Sequence, residues 1–139
     1  MKRLLLIALA GLSLVFAACG KSDQDKAKSD VCDARANIQK NVKELQNLTI
    51  GTATVDQVKS NLNAIKDDLV KIGDARANLD NTRKQQVEKA NEAFKSDLQK
   101  LVDDLGTSTS LSDAAAQLKA GIASLATAYQ DSLGPIDCG

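Results

Sequence analysis

Apolar residues recur at steps of three and four positions through most of this chain. The most regular run follows a strict 3,4 alternation at Val55, Val58, Leu62, Ile65, Leu69 and Ile72. This spacing places side chains on one face of a helix and is typical of a coiled-coil seam. Pro135 is the one proline in the sequence, so no proline interrupts a helix before it. The pattern predicts an all-α fold whose amphipathic helices pack through their apolar faces.

Similar faces predict the neighbouring helices. Asp30 is the expected N-cap of a first helix over residues 31–48, and Gly134 with Pro135 is expected to end a last helix over residues 111–133. Loops are expected at 49–54 and 106–110, where Gly, Thr and Ser cluster. The residues of the first face are Ala34, Ile38, Val42, Leu45 and Leu48. Those of the later faces are Val87, Ala90, Phe94, Leu98, Leu101, Leu105, Leu118, Ile122, Leu125, Tyr129 and Leu133.

Two architectures satisfy these helix lengths. In the favoured one, a continuous central helix over about 55–105, roughly 75 Å long, is flanked by the first and last helices in an elongated antiparallel bundle. In the alternative, the chain reverses at Gly73 and forms a compact four-helix bundle. A single mid-helix glycine destabilises a helix by only about 1 kcal/mol relative to alanine. We therefore expect the long helix.

The first residues have the features of an export signal. A positive start, Met1-Lys2-Arg3, is followed by an apolar run from Leu4 to Ala18 that ends in small residues. The run is too short for a membrane-spanning helix, which needs about 20 residues. The sequence predicts a cleaved signal peptide over residues 1–18.

The segment Phe16-Ala17-Ala18-Cys19-Gly20 resembles the lipobox of bacterial lipoproteins, in which a large apolar residue and two small residues precede a cysteine. Phe16 stands where that family usually has Leu. The resemblance implies that Cys19 becomes the mature N-terminus and carries a diacylglyceryl thioether, which anchors the chain at the extracytoplasmic face of the cell membrane. The alternative is ordinary secretion after cleavage at Ala17. The helical body resembles small bacterial lipoproteins with a flanking cysteine pair, and this resemblance implies no activity.

Lipidation of Cys19 would leave an even pair of cysteines, Cys32 and Cys138, in an exported chain. Because exported proteins fold in an oxidising compartment, we expect these two residues to form a disulfide. The polar segment after the lipobox predicts a flexible tether over residues 19–30, and the helical domain is expected to span residues 31–139.

The composition excludes several classes of function. The 139 residues include no His, which excludes Ser-His-Asp triads and imidazole metal ligands. The sequence has one Tyr, two Phe and no Trp, too few aromatic rings to stack nucleic-acid bases. Its 18 basic and 18 acidic residues balance, which argues against nucleic-acid binding. We expect no enzymatic activity, no cofactor and no nucleic-acid partner.

Paired carboxylates at Asp67-Asp68 and Asp103-Asp104 are the candidates for a metal or acid–base role. Neighbouring side chains on a helix point about 100° apart, so neither pair converges on one ion. We interpret them as solvated helix surface. The expected ion pairs are Asp67 with Lys71 and Asp97 with Lys100.

Two surfaces are candidates for contact with a partner. A modest basic segment comprises Arg76, Arg83 and Lys84, and we interpret it as a solvated helix face. The last predicted helix is rich in Ala and Gly, and any part left outside the bundle is a candidate face for another protein or a second copy.

The leading hypothesis is a non-enzymatic, lipid-anchored protein with a structural or protein-interaction role at the cell envelope. It implies attachment to the membrane through the N-terminal lipid and either a protein partner or self-association. The alternative is a lipoprotein that binds a small apolar or lipidic ligand between its helices, because helical bundles can open such cavities.

Overall fold

The computed structural model describes residues 22–48, 55–107 and 111–139, and all regular secondary structure in those ranges is helical. The order of elements confirms the predicted all-α helical bundle. A 3₁₀ turn connects the second and third helices, and a π-helical turn extends the fourth. The four helices are α1 (Asp23–Asn47), α2 (Val55–Ala75), α3 (Asn81–Thr107) and α4 (Leu111–Ala128), and the two turns span Arg76–Asn78 and Tyr129–Leu133.

The chain reverses direction between α2 and α3, so the expected continuous helix over 55–105 does not form. Arg76 Nη1 lies 2.7 Å from Glu88 Oε1, and Asn91 Nδ2 lies 3.6 Å from the Cβ position at Gly73. In one straight helix both pairs would be separated by about 18 Å or more. The alternative architecture, a four-helix bundle, is the one observed, with its break after Ala75 rather than at Gly73.

Two residues after the 3₁₀ turn produce this reversal. Leu79 adopts an extended conformation, with φ −82° and ψ 156°, and its side chain is buried in the core. Asp80 then caps α3, because its Oδ1 accepts a hydrogen bond from the backbone N–H of Arg83 at 3.0 Å. The buried leucine and the cap both favour a new helix in a new direction over extension of α2.

Helix α1 is longer than expected, because it begins at Asp23 rather than at Val31. Ser22 is the N-cap instead of Asp30, and its Oγ accepts a hydrogen bond from the backbone N–H of Asp25 at 3.2 Å. Ala27 and Val31 are both only 2% exposed. The polar segment predicted as tether is therefore helical from Asp23 onward and is packed against the bundle through Ala27.

The predicted apolar faces meet in a single core, and the structure confirms them where it describes the side chains. Leu48, Leu105 and Leu118 are partly buried at its edges. The largest fully buried side chains are Phe94, Ile38, Leu45, Ile65, Ile72, Leu125, Leu133 and Val31. The predicted loop at 49–54, the side chain of Val55 and residues 108–110 of the second predicted loop lie outside the described residues.

Helix α4 runs antiparallel to α3 and returns the chain to the start of α1. Gly121 packs against Leu101, and further along the pair Tyr129 packs against Phe94. The C-terminal residues then reach Cys32 on α1. We call this end of the bundle the disulfide end: it comprises the first turns of α1, the connection over 76–80 and residues 134–139.

Candidate functional site

A disulfide between Cys32 and Cys138 closes the bundle, as predicted. Cys32 lies on α1 and Cys138 follows α4, and their Cα atoms are 5.7 Å apart across a sequence separation of 106. The bond joins the first and last described segments of the chain. It thereby restricts the separation of α1 from the C-terminal residues.

Arg35 attaches the C-terminal segment to α1 beside this disulfide. Its Nη1 donates a hydrogen bond to the backbone carbonyl of Ile136, and its Nε donates a longer one to Tyr129 Oη at 3.4 Å. Gln86 on α3 donates from Nε2 to the carbonyl of Pro135 at 3.4 Å. The residues after α4 are thus held from two helices. No sequence pattern marks Arg35, because its two acceptors, the Ile136 carbonyl and the Tyr129 hydroxyl, are about 100 positions away in the chain.

Tyr129 connects the hydrogen bonds of Arg35 to the core. Its ring is 2% exposed and meets the ring of Phe94 edge-on, with centroids 6.2 Å apart and an angle of 82° between the planes. Such an edge-to-face contact is the favoured geometry for two aromatic rings. The π-helical turn begins at Tyr129, where the carbonyl accepts a hydrogen bond from the N–H of Gly134 at 2.8 Å. The aromatic pair and the turn together fix where the C-terminal segment leaves α4.

The C-terminal residues also carry a perturbed carboxyl group. The backbone N–H of Gly139 donates to Asp137 Oδ1 at 3.0 Å and lowers the pKa of that carboxyl, and the positive charge of Lys28 lowers this pKa further. Because the side chain is exposed, the effect is local electrostatics at the surface of the disulfide end.

A small apolar pocket lies under the C-terminal segment. It has a volume of about 20 Å³ and is lined by side chains that include Val31, Leu79, Val87 and Ile136. Such a volume holds about one water molecule. This pocket cannot admit an acyl chain, so it offers no support for the alternative hypothesis of a lipidic ligand.

A larger, open groove follows the start of α1 and the end of α2. Its volume is about 540 Å³, and it is lined by both acidic and basic side chains. The charged residues of this groove are Asp23, Lys26, Asp30, Asp33, Lys71 and Asp74. Because the groove is open and mixed in charge, it resembles a hydrated surface between two helices more than an enclosed binding site.

The paired carboxylates Asp67-Asp68 and Asp103-Asp104 lie on α2 and α3. Among residues 22–48, 55–107 and 111–139, no three Cys, Asp or Glu side chains are placed to hold a metal ion. Asp97 forms the predicted ion pair, with 2.9 Å between its Oδ1 and Lys100 Nζ. Lys71, however, pairs with Asp68 rather than with Asp67.

Asp68 is the buried member of its pair. It is 4% exposed, and its Oδ1 lies 2.7 Å from Lys71 Nζ. The hydrogen bond from Lys71 to this carboxylate raises the pKa of the lysine. The sequence interpretation of this residue as solvated helix surface was wrong, because burial at position 68 depends on how the helices pack and not on the local sequence.

Both arginines of the basic segment pair with neighbouring acids. Arg76 pairs with Glu88 across the α2–α3 connection, and Arg83 Nε lies 3.6 Å from Asp80 Oδ2. These contacts agree with the interpretation of the segment as a solvated face. On α4, Gly121 packs inward, whereas Ala116, Ala120 and Ala123 remain exposed.

The predicted lipidation site, Cys19, lies outside the described residues. Within the part of the chain that the structure describes, no helix combines the length and hydropathy needed to cross a bilayer. Comparison of the chain with protein-family models, curated proteins and solved structures finds no match.

Proposed function

We propose that this chain is a lipid-anchored protein of the bacterial cell envelope, attached through Cys19 and displayed at the extracytoplasmic face of the membrane. Its role is structural or in protein–protein interaction rather than enzymatic. The observation that carries the proposal is the sequence around Cys19, where a positive start, an apolar run and two small residues precede a cysteine.

The disulfide supports export. Cys32 and Cys138 are bonded to each other, and disulfides persist mainly in proteins that leave the reducing cytosol. The bond joins chain segments that Arg35 also holds together, which is the arrangement expected of a structural disulfide rather than a catalytic one. Pairing of Cys32 with Cys138 also leaves Cys19 as the one cysteine available for lipid.

The packing of the helical domain supports the interaction role. The helices pack into a single core, and the pocket under the C-terminal segment has a volume of only about 20 Å³. Contact with another molecule is therefore expected on the outer faces of the helices. On α4 these outer faces include the exposed small residues Ala116, Ala120 and Ala123, which would let another helix approach closely.

The anchor is tested by mass spectrometry of the intact chain extracted from bacterial membranes in mild detergent. We expect a chain that begins at Cys19, carries a diacylglyceryl group and lacks the two hydrogens removed by the Cys32–Cys138 bond. A C19S variant is the matched control and should not acquire the lipid. A mature wild-type chain that starts at Ala18 without added mass would contradict the proposal in favour of ordinary secretion.

The interaction role is tested by chemical crosslinking in intact cells, with C19S as the mislocalised control. We expect the anchored chain to crosslink to a second polypeptide or to a second copy of itself. Recovery of isolated monomers across several crosslinker lengths would argue against this role while leaving the anchor intact.

A further inference from the structure

We infer that the disulfide end of the bundle lies against the lipid surface and that the opposite end points away from it. The inference rests on the proposed lipidation of Cys19 and adds an orientation to it. The surface concerned comprises the first turns of α1, the connection over 76–80 and residues 134–139, and the partner is the layer of lipid headgroups.

The first argument is the short reach of the chain between Cys19 and the bundle. Helix α1 begins at Asp23 and is capped by Ser22. Three residues of fully extended chain, the distance from Cys19 to Ser22, span at most about 10 Å. A tether over residues 19–30 would instead have reached about 40 Å. Because residues 23–30 are helical, the start of α1 must remain close to the lipid-bearing residue.

The second argument is that the other elements of the disulfide end are fixed to the start of α1. Lys28, Val31 and Cys32 line the same small pocket as Leu79 from the connection and Ile136 from the C-terminal segment. The disulfide and the hydrogen bonds of Arg35 hold this arrangement together. Whatever holds α1 near the membrane therefore brings the whole disulfide end with it.

The third argument is that the described surface offers no means of holding the bundle flat on a bilayer. Val70 and Val102 are the large apolar side chains that are exposed in the described ranges, and they lie on different helices. A helix that lies in the interface needs a broad apolar face, usually bordered by basic residues. Attachment is therefore at one end, and α1, with 25 residues, carries the opposite end about 38 Å further from the lipid.

The charges at the start of α1 favour close approach without insertion. Asp23 and Asp25 occupy the first turn, and Lys26 and Lys28 follow. Placing these charged side chains in hydrocarbon would be strongly unfavourable. The disulfide end is thus expected to lie at the hydrated headgroup layer, while the sides and the opposite end remain accessible to proteins.

The orientation can be measured by NMR on the lipidated full-length chain in nanodiscs of phosphatidylethanolamine and phosphatidylglycerol that contain a gadolinium-chelating lipid. Paramagnetic relaxation falls steeply with distance. Given the ~38 Å length of α1, the paramagnetic relaxation rates of amides in residues 23–33 and 76–86 should be more than about tenfold higher than those of residues 42–47. The matched variant carries a flexible linker of about ten Gly and Ser residues between Lys21 and Ser22. It keeps the lipid and the fold, and we expect it to lose most of this difference.

Each other result would overturn the inference. Equal broadening at both ends would mean that the bundle lies flat, and no broadening at either end would mean that it stands away from the lipid. A steep gradient that persists unchanged in the linker variant would mean that the short connection does not set the orientation. Failure of the anchor itself is distinguished by the absence of the diacylglyceryl mass and of co-flotation with vesicles, and it would remove the proposed function together with this inference.

Discussion

Arg35 on α1 and Tyr129 at the end of α4 lie side by side although 94 positions separate them in the chain, with 3.4 Å between Arg35 Nε and Tyr129 Oη. The same guanidinium group donates from Nη1 to the carbonyl of Ile136. One side chain of the first helix thus holds both the last turn of the bundle and the segment that carries Cys138. The disulfide end is closed by packing and hydrogen bonds as well as by the covalent bond.

The hydroxyl of Tyr129 should contribute less to stability than the ring of Phe94, which packs against the ring of Tyr129. Tyr129→Phe removes two long hydrogen bonds, one accepted from Arg35 Nε at 3.4 Å and one donated to the Arg35 carbonyl at 3.5 Å. Because both are long, this variant should lower the free energy of unfolding by only about 1 kcal/mol. Phe94 is fully buried, and Phe94→Ala should lower it by about 3–5 kcal/mol, because it leaves a cavity in the core. Urea unfolding followed by circular dichroism measures both. Equal losses in the two variants would show that the Tyr129 hydroxyl contributes as much as the buried Phe94 ring.

Removal of the disulfide should destabilise the bundle without changing its fold. The bond closes a loop with a sequence separation of 106, for which the chain-entropy model gives about 4–5 kcal/mol. We expect the Cys32→Ser, Cys138→Ser double variant to remain helical. Its free energy of unfolding should fall by this amount, which lowers the urea midpoint. The wild-type chain after reduction by a dithiol is the internal control and should match the variant. An unchanged midpoint would mean that the hydrogen bonds of Arg35 suffice to hold this end.

Alanine substitutions at two glycines should change the free energy of unfolding in opposite directions. A Cβ at Gly134 would lie 2.5 Å from the backbone oxygen of Gln130, because the π-helical turn brings this carbonyl close. Gly134→Ala should therefore destabilise by about 1–3 kcal/mol through overpacking. A Cβ at Gly106 would meet no atom within 4 Å, so Gly106→Ala should stabilise α3 by up to about 1 kcal/mol. Thermal unfolding of the two variants tests this, and a stabilising Gly134→Ala would show that the turn readily relaxes.

The Lys71–Asp68 pair should influence stability at high pH. The hydrogen bond to Asp68 raises the pKa of Lys71 in the folded chain above its ordinary value of 10.5. A raised pKa means that the contribution is fully present below the unfolded-state pKa and is lost as the pH rises through the folded-state pKa. We expect Asp68→Asn to return the pKa of Lys71 towards its ordinary value, measured by NMR titration of the lysine side chain.

A comparison of two lysines tests whether burial of the carboxylate matters. Lys71→Met removes the partner of a nearly buried Asp68, whereas Lys100→Met removes the partner of the more exposed Asp97. Exposed pairs contribute little because water and salt screen them. Lys71→Met should therefore lower the urea midpoint more than Lys100→Met does. Similar midpoints would imply that Asp68 has adequate solvation without the lysine.

The apolar spacing was sufficient to predict the helices and the core. Ile38, Ile65, Leu125 and the other members of the faces are buried as their spacing requires, because a period of three to four residues buries one side of a helix in any bundle. The disulfide could also be predicted, since three cysteines with one in a lipobox leave a single pair. Local pattern and cysteine number are properties of the sequence and do not depend on how the helices are arranged.

The candidate site was less predictable, because its members become neighbours only on folding. Arg35 has no local feature that distinguishes it from a surface arginine, and its acceptors lie near the other end of the chain. Ala27 is too small to mark residues 23–30 as part of a helix, yet its burial helps to hold them in α1. Asp68 lies in a polar sequence and is buried only because of its position in the bundle.

Periodicity and composition are enough to establish that this protein is helical, which faces form the core, and that its N-terminus carries the features of an export signal. The reversal after Ala75, in contrast, follows only from contacts made in the folded bundle. A helix through Gly73 would lose little locally, but Leu79 gains burial and Arg76 meets Glu88 only after the reversal. The start of α1 was decided in the same way, by packing of Ala27 against the bundle. Choices that are nearly balanced in local free energy are made by contacts between residues that are distant in the chain.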